Sequence, residues 1–345
     1  MQQSRSRWTE GRIMKTQAGK RVFAALTVGV MFLLLLLIAV GVLQESSHEK
    51  RVYQIMLIPK TVDPTNDFWT GLTEGAKLGA EEFGCEIKVV GGTAENDYEG
   101  QNEIIETCIE KDPDALLIAP CSYSESTEAI EKAVAAGIKV ILIDSVIDKE
   151  IANGVVATNN FKAGQELGEY TSTLLTEDSR IGIISHVQGS STAAEREAGV
   201  RDGLGEFQDQ IVDIVYCNSS YEVSSELTRK MLKAHPEIDT LIGTNEYAAV
   251  GAARVVKAQQ LGEQIQVVGV DNSVEEIQLL EAGIIQGIVI QKPFNIGYLG
   301  VQQAVKAVEG YPMEYNLDSG CKLITKENMY EEENQRLLYP FSGQQ

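Results

Sequence analysis

From residue 52 to about residue 310 the chain alternates two patterns, short wholly apolar runs and longer segments whose apolar side chains recur every three or four positions. The first pattern describes a strand buried on both faces, and the second a helix with one buried side. Their regular alternation describes a parallel sheet covered by helices. The first unit is a strand at 52–58 (VYQIMLI), a loop, and a helix with the stripe Trp69, Leu72, Ala76, Ala80 and Phe83. Strands at 86–90, 114–120 and 139–144 follow, with helices predicted at 99–111 and 124–136, the second stopped by Gly137.

The pattern then restarts. Strands at 180–185, 210–216, 239–243 and 264–271 alternate with helices at 193–207, 223–234 and 246–261, and a short strand GIVI ends at Ile290. His235-Pro236 closes the middle helix, because a residue before proline leaves the helical region. An α/β chain of two lobes of similar build is expected.

Ahead of this body, residues 22–43 (VFAALTVGVMFLLLLLIAVGVL) are 22 positions of nearly continuous apolar side chain. At helical rise that length crosses a hydrocarbon core of roughly 30 Å, so one transmembrane helix is predicted, with a cleaved signal peptide as the alternative. Residues 1–21 carry six basic side chains against Glu10, so the formal charge of −21 for the whole chain corresponds to −26 beyond Leu43. The basic N-terminus is therefore expected in the cytoplasm and the acidic body outside, in the cell envelope as a single-pass protein. A body of that charge repels nucleic acid. No cysteine follows the span closely enough to accept a lipid anchor, and 44–51 reads as a polar linker. Cys85, Cys108, Cys121, Cys217 and Cys321 are widely spaced and read as free thiols. His48, His186 and His235 are scattered too, so neither metal nor cofactor is expected.

The chemistry gathers at strand ends. Asp144 ends KVILID and Asp271 ends QVVGVD, each where a parallel strand meets the crevice outside the sheet, which is where ligands of open α/β sheets bind. One carboxylate from each half describes a cleft that grips something rich in hydroxyls. Burying a hydroxyl unpaired costs about 1–3 kcal/mol, so such a site needs acceptors, a guanidinium, amides and rings for the apolar faces. Asn66, Phe68 and Trp69 open the first helix, Phe68 being the better candidate for a stacking ring because Trp69 fits the helix's core stripe. Ser145 follows Asp144, Arg196 lies early in a helix of the second half, Asn245 follows DTLIG, and Gln291 follows GIVI.

These segments together resemble the ribose-binding-protein-like family of periplasmic sugar-binding proteins, whose type I solute-binding fold is shared with the ligand domains of LacI-type repressors. The resemblance covers about residues 52–326 and rests on NDFW, VILIDS, ATNN at 157–160, AAERE with the following glycine, AHPEIDTLIGTNE, VVGVD and IQKPFNIG. It implies two Rossmann-like lobes with parallel sheets joined by three chain crossings, a hinge that closes on one monosaccharide-sized ligand, and delivery to an ABC permease. The expected lobes are 52–157 with 291–316 and 158–290 with 317–330, followed by a tail at 331–345. By position the resemblance assigns the ligand to Asn66, Phe68, Asp144, Arg196, Asn245, Asp271 and Gln291. Three departures stand out. Ser145 occupies the place of an arginine, Lys60 sits on a longer first loop as a candidate for the pocket or its rim, and Tyr221 is the candidate for a second-lobe aromatic otherwise missing near Ser219.

Enzymatic readings lack their motifs. The loop PKTVDPTND has no G-x-G-x-x-G for a dinucleotide, no G-K-[ST] phosphate loop occurs, and no G-x-S-x-G elbow is present. A membrane span stands where a repressor would carry its helix-turn-helix. The expectation is a binding protein without catalytic residues, capturing a monosaccharide for an ABC transporter, or alternatively sensing a sugar or autoinducer by docking on a membrane histidine kinase.

Overall fold

A computed structural model describes residues 29–34 and 51–339. Residues 29–34 are helical, with Val30 to Leu34 exposed. The rest of the span expected at 22–43 lies outside the described residues, as do 1–21, most of the linker and 340–345. Among the described residues no helix is long and apolar enough to cross a membrane.

The body from Tyr53 onward is one compact unit. Its first half runs β1 (Gln54–Ile58), α1 (Asp67–Phe83), β2 (Glu86–Val89), α2 (Tyr98–Ile109), β3 (Ala115–Ile118), α3 (Thr127–Ala135), β4 (Lys139–Ile143) and β5 (Gly154–Ala157). Its second half runs α4 (Asn160–Ser172), β6 (Ile181–Ser185), α5 (Ser191–Leu204), β7 (Ile211–Tyr216), α6 (Tyr221–Ala234), β8 (Thr240–Gly243), α7 (Glu246–Ala258), β9 (Gln266–Val270), α8 (Val274–Glu281) and β10 (Ile285–Ile290). The chain closes with α9 (Pro293–Glu309), β11 (Asn316–Asp318), β12 (Lys322–Thr325) and α10 (Glu332–Leu338).

Two six-stranded sheets result, in the orders β11-β5-β4-β3-β1-β2 and β12-β10-β9-β8-β6-β7. The first is parallel throughout. The second departs from the expected all-parallel sheet at one edge, where β12 runs antiparallel to β10. That edge exists because β10 runs toward the crossings and the chain re-enters this lobe there directly after β11, so β12 runs back the other way beside it. The chain passes between the sheets three times, at 158–159, 291–292 and 319–321, and α9 packs on α1, β3 and β4 of the first lobe.

Successive strand residues point to opposite faces, so each sheet carries a core on both sides. In the first lobe Ile55, Leu57, Ile141 and Ile143 share a cluster with Leu72 of α1, whereas Met56, Ile58, Val140 and Leu142 join Ile105 of α2 and Ile130 of α3. The second lobe repeats the division, Ile183, Val268 and Val270 on one face and Leu241, Val267 and Ile288 on the other. The segment expected as a tail is part of this lobe as far as it is described. Leu338 of α10 is buried in the second-lobe core and Asn334 Nδ2 donates to Asn328 O at 2.8 Å.

Candidate ligand-binding cleft

The two aspartates at the strand ends occupy equivalent places. Asp144 N donates to Val156 O and Asp271 N to Val289 O, each at 3.0 Å, so both backbones are held by the neighbouring strand while the chain turns off the sheet. Both turn through the left-handed region, with φ of 62° at Asp144 and 92° at Asp271. For a residue with a Cβ this costs about 1–3 kcal/mol, and it aims each carboxylate into the crevice instead of along the strand. Asn66 and Asn245 are a second matched pair. Each caps a helix that opens on the cleft, accepting from Trp69 N and from Ala248 N at 3.0 Å. Their amide groups point on into the interlobe space, Asn66 Nδ2 donating to Glu246 Oε2 at 2.9 Å and Asn245 Nδ2 to Ser219 Oγ at 3.2 Å.

Arg196 is 3 % exposed, which excludes the surface arginine that a lone charge on a helix usually is. Its Nε donates to Asn160 Oδ1 and its Nη1 to Thr244 O, both at 2.8 Å, which fixes the guanidinium plane and leaves other donors free. Gln291 Nε2 donates to Asp271 Oδ1 at 2.7 Å, and Glu246 N to Asp271 Oδ2 at 2.9 Å. Gln291 Oε1 has no hydrogen-bond partner among the described residues.

These groups line one cavity between the lobes. Its walls hold Asn66, Phe68, Trp69 and Asp144 from the first lobe, Arg196, Asn245 and Asp271 from the second, and Gln291 at a crossing. The space left between atoms is about 310 Å³, and hydrogen bonds from Asn66 to Glu246 and from Ser219 to Glu95 join its two sides, so the lobes stand closed on each other. Phe68 and Trp69 both reach the cavity, their rings 4.9 Å apart and nearly perpendicular.

Two expected residues are elsewhere. Ser145 Oγ donates to Pro120 O at 2.9 Å, and the residue is absent from the cavity wall. Tyr221 lies behind it, its hydroxyl on Glu246 Oε1 and its ring 4.7 Å from that of Tyr247. Tyr247 lines the cavity instead. The replacement follows from the left-handed backbone at Asn218 and Ser219, which carries Ser219 across to donate to Glu95 Oε2 at 2.6 Å and leaves Tyr221 at the start of α6.

Sequence reasoning missed four further wall residues, Glu95, His186, Thr192 and Tyr247, and left Lys60, which lies in the wall, between pocket and rim. Lys60 is 4 % exposed, with Nζ 2.8 Å from Asp144 Oδ2. The contact lacks the geometry of an aligned hydrogen bond, yet at that distance between buried groups it is the carboxylate's partner. Glu95 accepts from Trp69 Nε1 at 2.6 Å as well as from Ser219, so it holds the indole and the opposite lobe at once. Burial raises its pKa, which Lys60 opposes. His186 is wedged between Thr244 Oγ1 and Thr192 Oγ1 at 2.9 Å each, and burial, reinforced by Arg196 and Lys60, holds it neutral. Burial also lifts Glu246 to about 8 against the pull of Tyr221, with Asp271 adding to the rise. One signal for Lys60 and Glu95 was available: each follows closely after a first-lobe strand, on the crevice side.

Residues 55–312 match the family profile of the periplasmic binding protein domain. The chain belongs to that family. This binding protein is 30 % identical over 313 residues to the D-ribose/D-allose-binding protein of Pseudomonas aeruginosa, covering 88 % of this chain and 96 % of that one. It is 26 % identical to the ribose import binding protein RbsB of Bacillus subtilis, over 81 % of this chain and 90 % of that one. Among solved structures, a sugar transporter from Clostridium phytofermentans is 40 % identical, with a TM-score of 0.76 over 79 % of this chain and 99 % of that one. A solute-binding protein from Agrobacterium radiobacter, bound to D-arabinose, shares the fold with a TM-score of 0.80 at 24 % identity, over 84 % of this chain and 100 % of that one. The type I two-lobe architecture and a binding role in place of catalysis are thereby established for the family to which this chain belongs.

Proposed function

We propose that this protein captures an uncharged monosaccharide-sized ligand between its lobes, outside the cytoplasm, and delivers it to an ABC sugar permease. The observation that carries the reading is the convergence of Asp144, Arg196 and Asp271 from separate lobes on one cavity with the amides of Asn66, Asn245 and Gln291. Carboxylates to accept, a guanidinium to donate and rings to cover C–H faces are the complement of a sugar's surface. The relatives named above for ribose, allose and D-arabinose are what make aldoses the first ligands to try. The Bacillus subtilis relative is named for ribose import, which favours import over sensing. The lobes act as 53–157 with 293–318 and 160–290 with 322–339, the last crossing falling after β11 and the segment expected as a tail joining the second lobe, and closure is driven by the ligand's greater affinity for the closed form. The apolar segment 22–43 anchors the body to the membrane.

Calorimetric titration of residues 51–345 with D-ribose, D-allose and D-arabinose tests the binding reading. Micromolar or tighter binding of at least one is expected, and heat of dilution alone with all three at millimolar concentration counts against it. Membrane fractionation of the full chain tests the anchor, which is refuted by recovery of the intact protein in the salt-washed soluble fraction.

A further inference from the structure

Closure presses carboxylates of the two lobes towards one another beside the cavity. Asp67 Oδ2 of the first lobe accepts from Val274 N across the gap at 3.0 Å, and Glu95 Oε2 from Ser219 Oγ at 2.6 Å. Glu246 of the second lobe accepts from Asn66 Nδ2 at 2.9 Å and is 1 % exposed. Its other oxygen meets the hydroxyl of Tyr221, which serves an ionised carboxylate as donor and a protonated one as acceptor. The cations of this region are engaged elsewhere, Lys60 with Asp144, Arg196 with Asn160 and Thr244 O, and Arg254 with Glu275 over the Tyr221 ring. What faces Glu246 is therefore acidic or phenolic: Tyr221 and Tyr247 from α6 and α7, Asp271 and Glu276 from the end of β9 and from α8, and Asp67 and Glu95 from the first lobe. Asp67, Glu95 and the covering amide of Asn66 reach it only when the lobes meet. Burial and added like charge both disfavour an ionised carboxylate. The closed-form pKa of about 8 has burial as its largest cause, opposed by Tyr221 and reinforced by Asp271, Asp67 and Glu95. Glu276 differs. Neither of its oxygens has a hydrogen-bond partner among the described residues, and what raises its pKa, burial with Asp271 and Glu246, lies within its own lobe, so it holds its proton whether the lobes are parted or closed.

Resting on the sugar-binding reading above, we propose that closure of the lobes takes up a proton onto Glu246, so that ligand capture is proton-linked and weakens as the medium becomes alkaline. The proton comes from the medium, settles on the oxygen that faces Tyr221 and is donated to the phenolic oxygen, while the other oxygen keeps its bond from Asn66 Nδ2. A group that binds a proton more tightly in the closed form favours closure below its closed-form pKa, and the advantage is lost as pH rises through that value. His186 acts in the opposite sense, since Lys60 of the first lobe adds to the burial and to Arg196 in disfavouring its charge. Its ordinary value of 6.5 means that at pH 8 it carries almost no proton in either form, so uptake by Glu246 is read there without it.

The test is calorimetric titration of the full chain, in micelles of a polyoxyethylene detergent, with D-ribose, D-allose and D-arabinose. The sugar bound best is then titrated at pH 8 in phosphate, HEPES and Tris, whose ionisation enthalpies differ, so that the slope of the apparent enthalpy counts protons. Wild type is expected to take up about half a proton per sugar bound, and its affinity to fall about fivefold to tenfold between pH 7 and pH 9. In Glu246→Gln, which keeps an acceptor for Asn66, the uptake is expected to drop below about a fifth of a proton and the affinity to change less than about twofold over that range. Should Glu246→Gln bind no sugar, Asp67→Asn, which removes a first-lobe charge outside the cavity wall, gives the comparison, with a smaller uptake than wild type expected. Sugar binding without proton uptake by wild type, or uptake unchanged in the variant compared, overturns the proposal while the sugar-binding reading stands. No binding of the three sugars by wild type overturns both.

Discussion

At Asp144 and Asp271 a strand stops, the backbone turns left-handed and a carboxylate enters the cleft. Neither residue is replaceable by a neighbour, since the adjacent Ser145 and Asn272 bond to Pro120 O and Leu337 O instead. Truncating one partner in a buried charged network leaves the others unpaired, which costs several kcal/mol. Arg196→Ala and Asp271→Ala are each expected to weaken the best-bound sugar by about a hundredfold or more. Lys149→Ala, whose ion pair with Glu131 lies half in solvent, should change it less than about twofold, all read by calorimetry. The two aspartates and the amides were legible because each stands where an apolar run ends. Lys60 was legible only as a candidate for the pocket or its rim, and Glu95 and His186 were not read as wall residues, since a single charged or polar residue carries little mark of the burial that makes it matter.

Glu246 yields a residue-scale prediction about pH. Its folded pKa of about 8 lies above the ordinary carboxylate value of 4.5, so it is neutral in the folded protein at pH 7. Its contribution to stability is fully present below pH 4.5 and is lost as pH rises from 4.5 to about 8. Glu246→Gln, which mimics the neutral form, should therefore match wild type near pH 4.5 and become progressively more stable than it towards pH 8. Denaturant melts at matched pH measure the difference, and a gap that stays constant would sink the assignment.

At the scale of elements, helices α4 and α5 are pressed together by glycine. A Cβ at Gly164 would lie 2.2 Å from Arg196 O, so only glycine permits the approach that places the guanidinium. Gly164→Ala should destabilise the fold by about 1–3 kcal/mol in chemical denaturation and also weaken sugar binding, because the backbone that must shift is that of Arg196. An alanine at Gly297, 1.9 Å from Leu72 O where α9 meets α1, should cost stability at least as much. The long apolar strands and the amphipathic helices were readable from period alone. Elements β5, α4, α8, β11, β12 and α10 were not assigned in advance. They are short or polar, and what holds α10 is the burial of Leu338 under a core assembled from distant segments.

Across the whole molecule, closure rests on bonds that join the lobes directly: Asn66 to Glu246, Ser219 to Glu95, Tyr247 to Asp63, and Val274 N to Asp67. A hinge with such a latch should respond to ligand by shifting population. Saturating sugar is expected to lower the radius of gyration in small-angle scattering and to raise the melting temperature together. A rise in melting temperature without compaction would show that the closed form dominates before ligand arrives.

Local pattern was enough to establish an α/β body of two related halves, an apolar segment ahead of it and carboxylates at matched strand ends, because strand and helix periods depend only on neighbours along the chain. Which aromatic faces the cavity, which cation meets Asp144, and which edge strand runs antiparallel were decided by tertiary structure. Those outcomes depend on contacts between residues far apart in sequence, Lys60 with Thr192 and Trp69 with Glu95 among them, and on burial, which exists only once both lobes are in place.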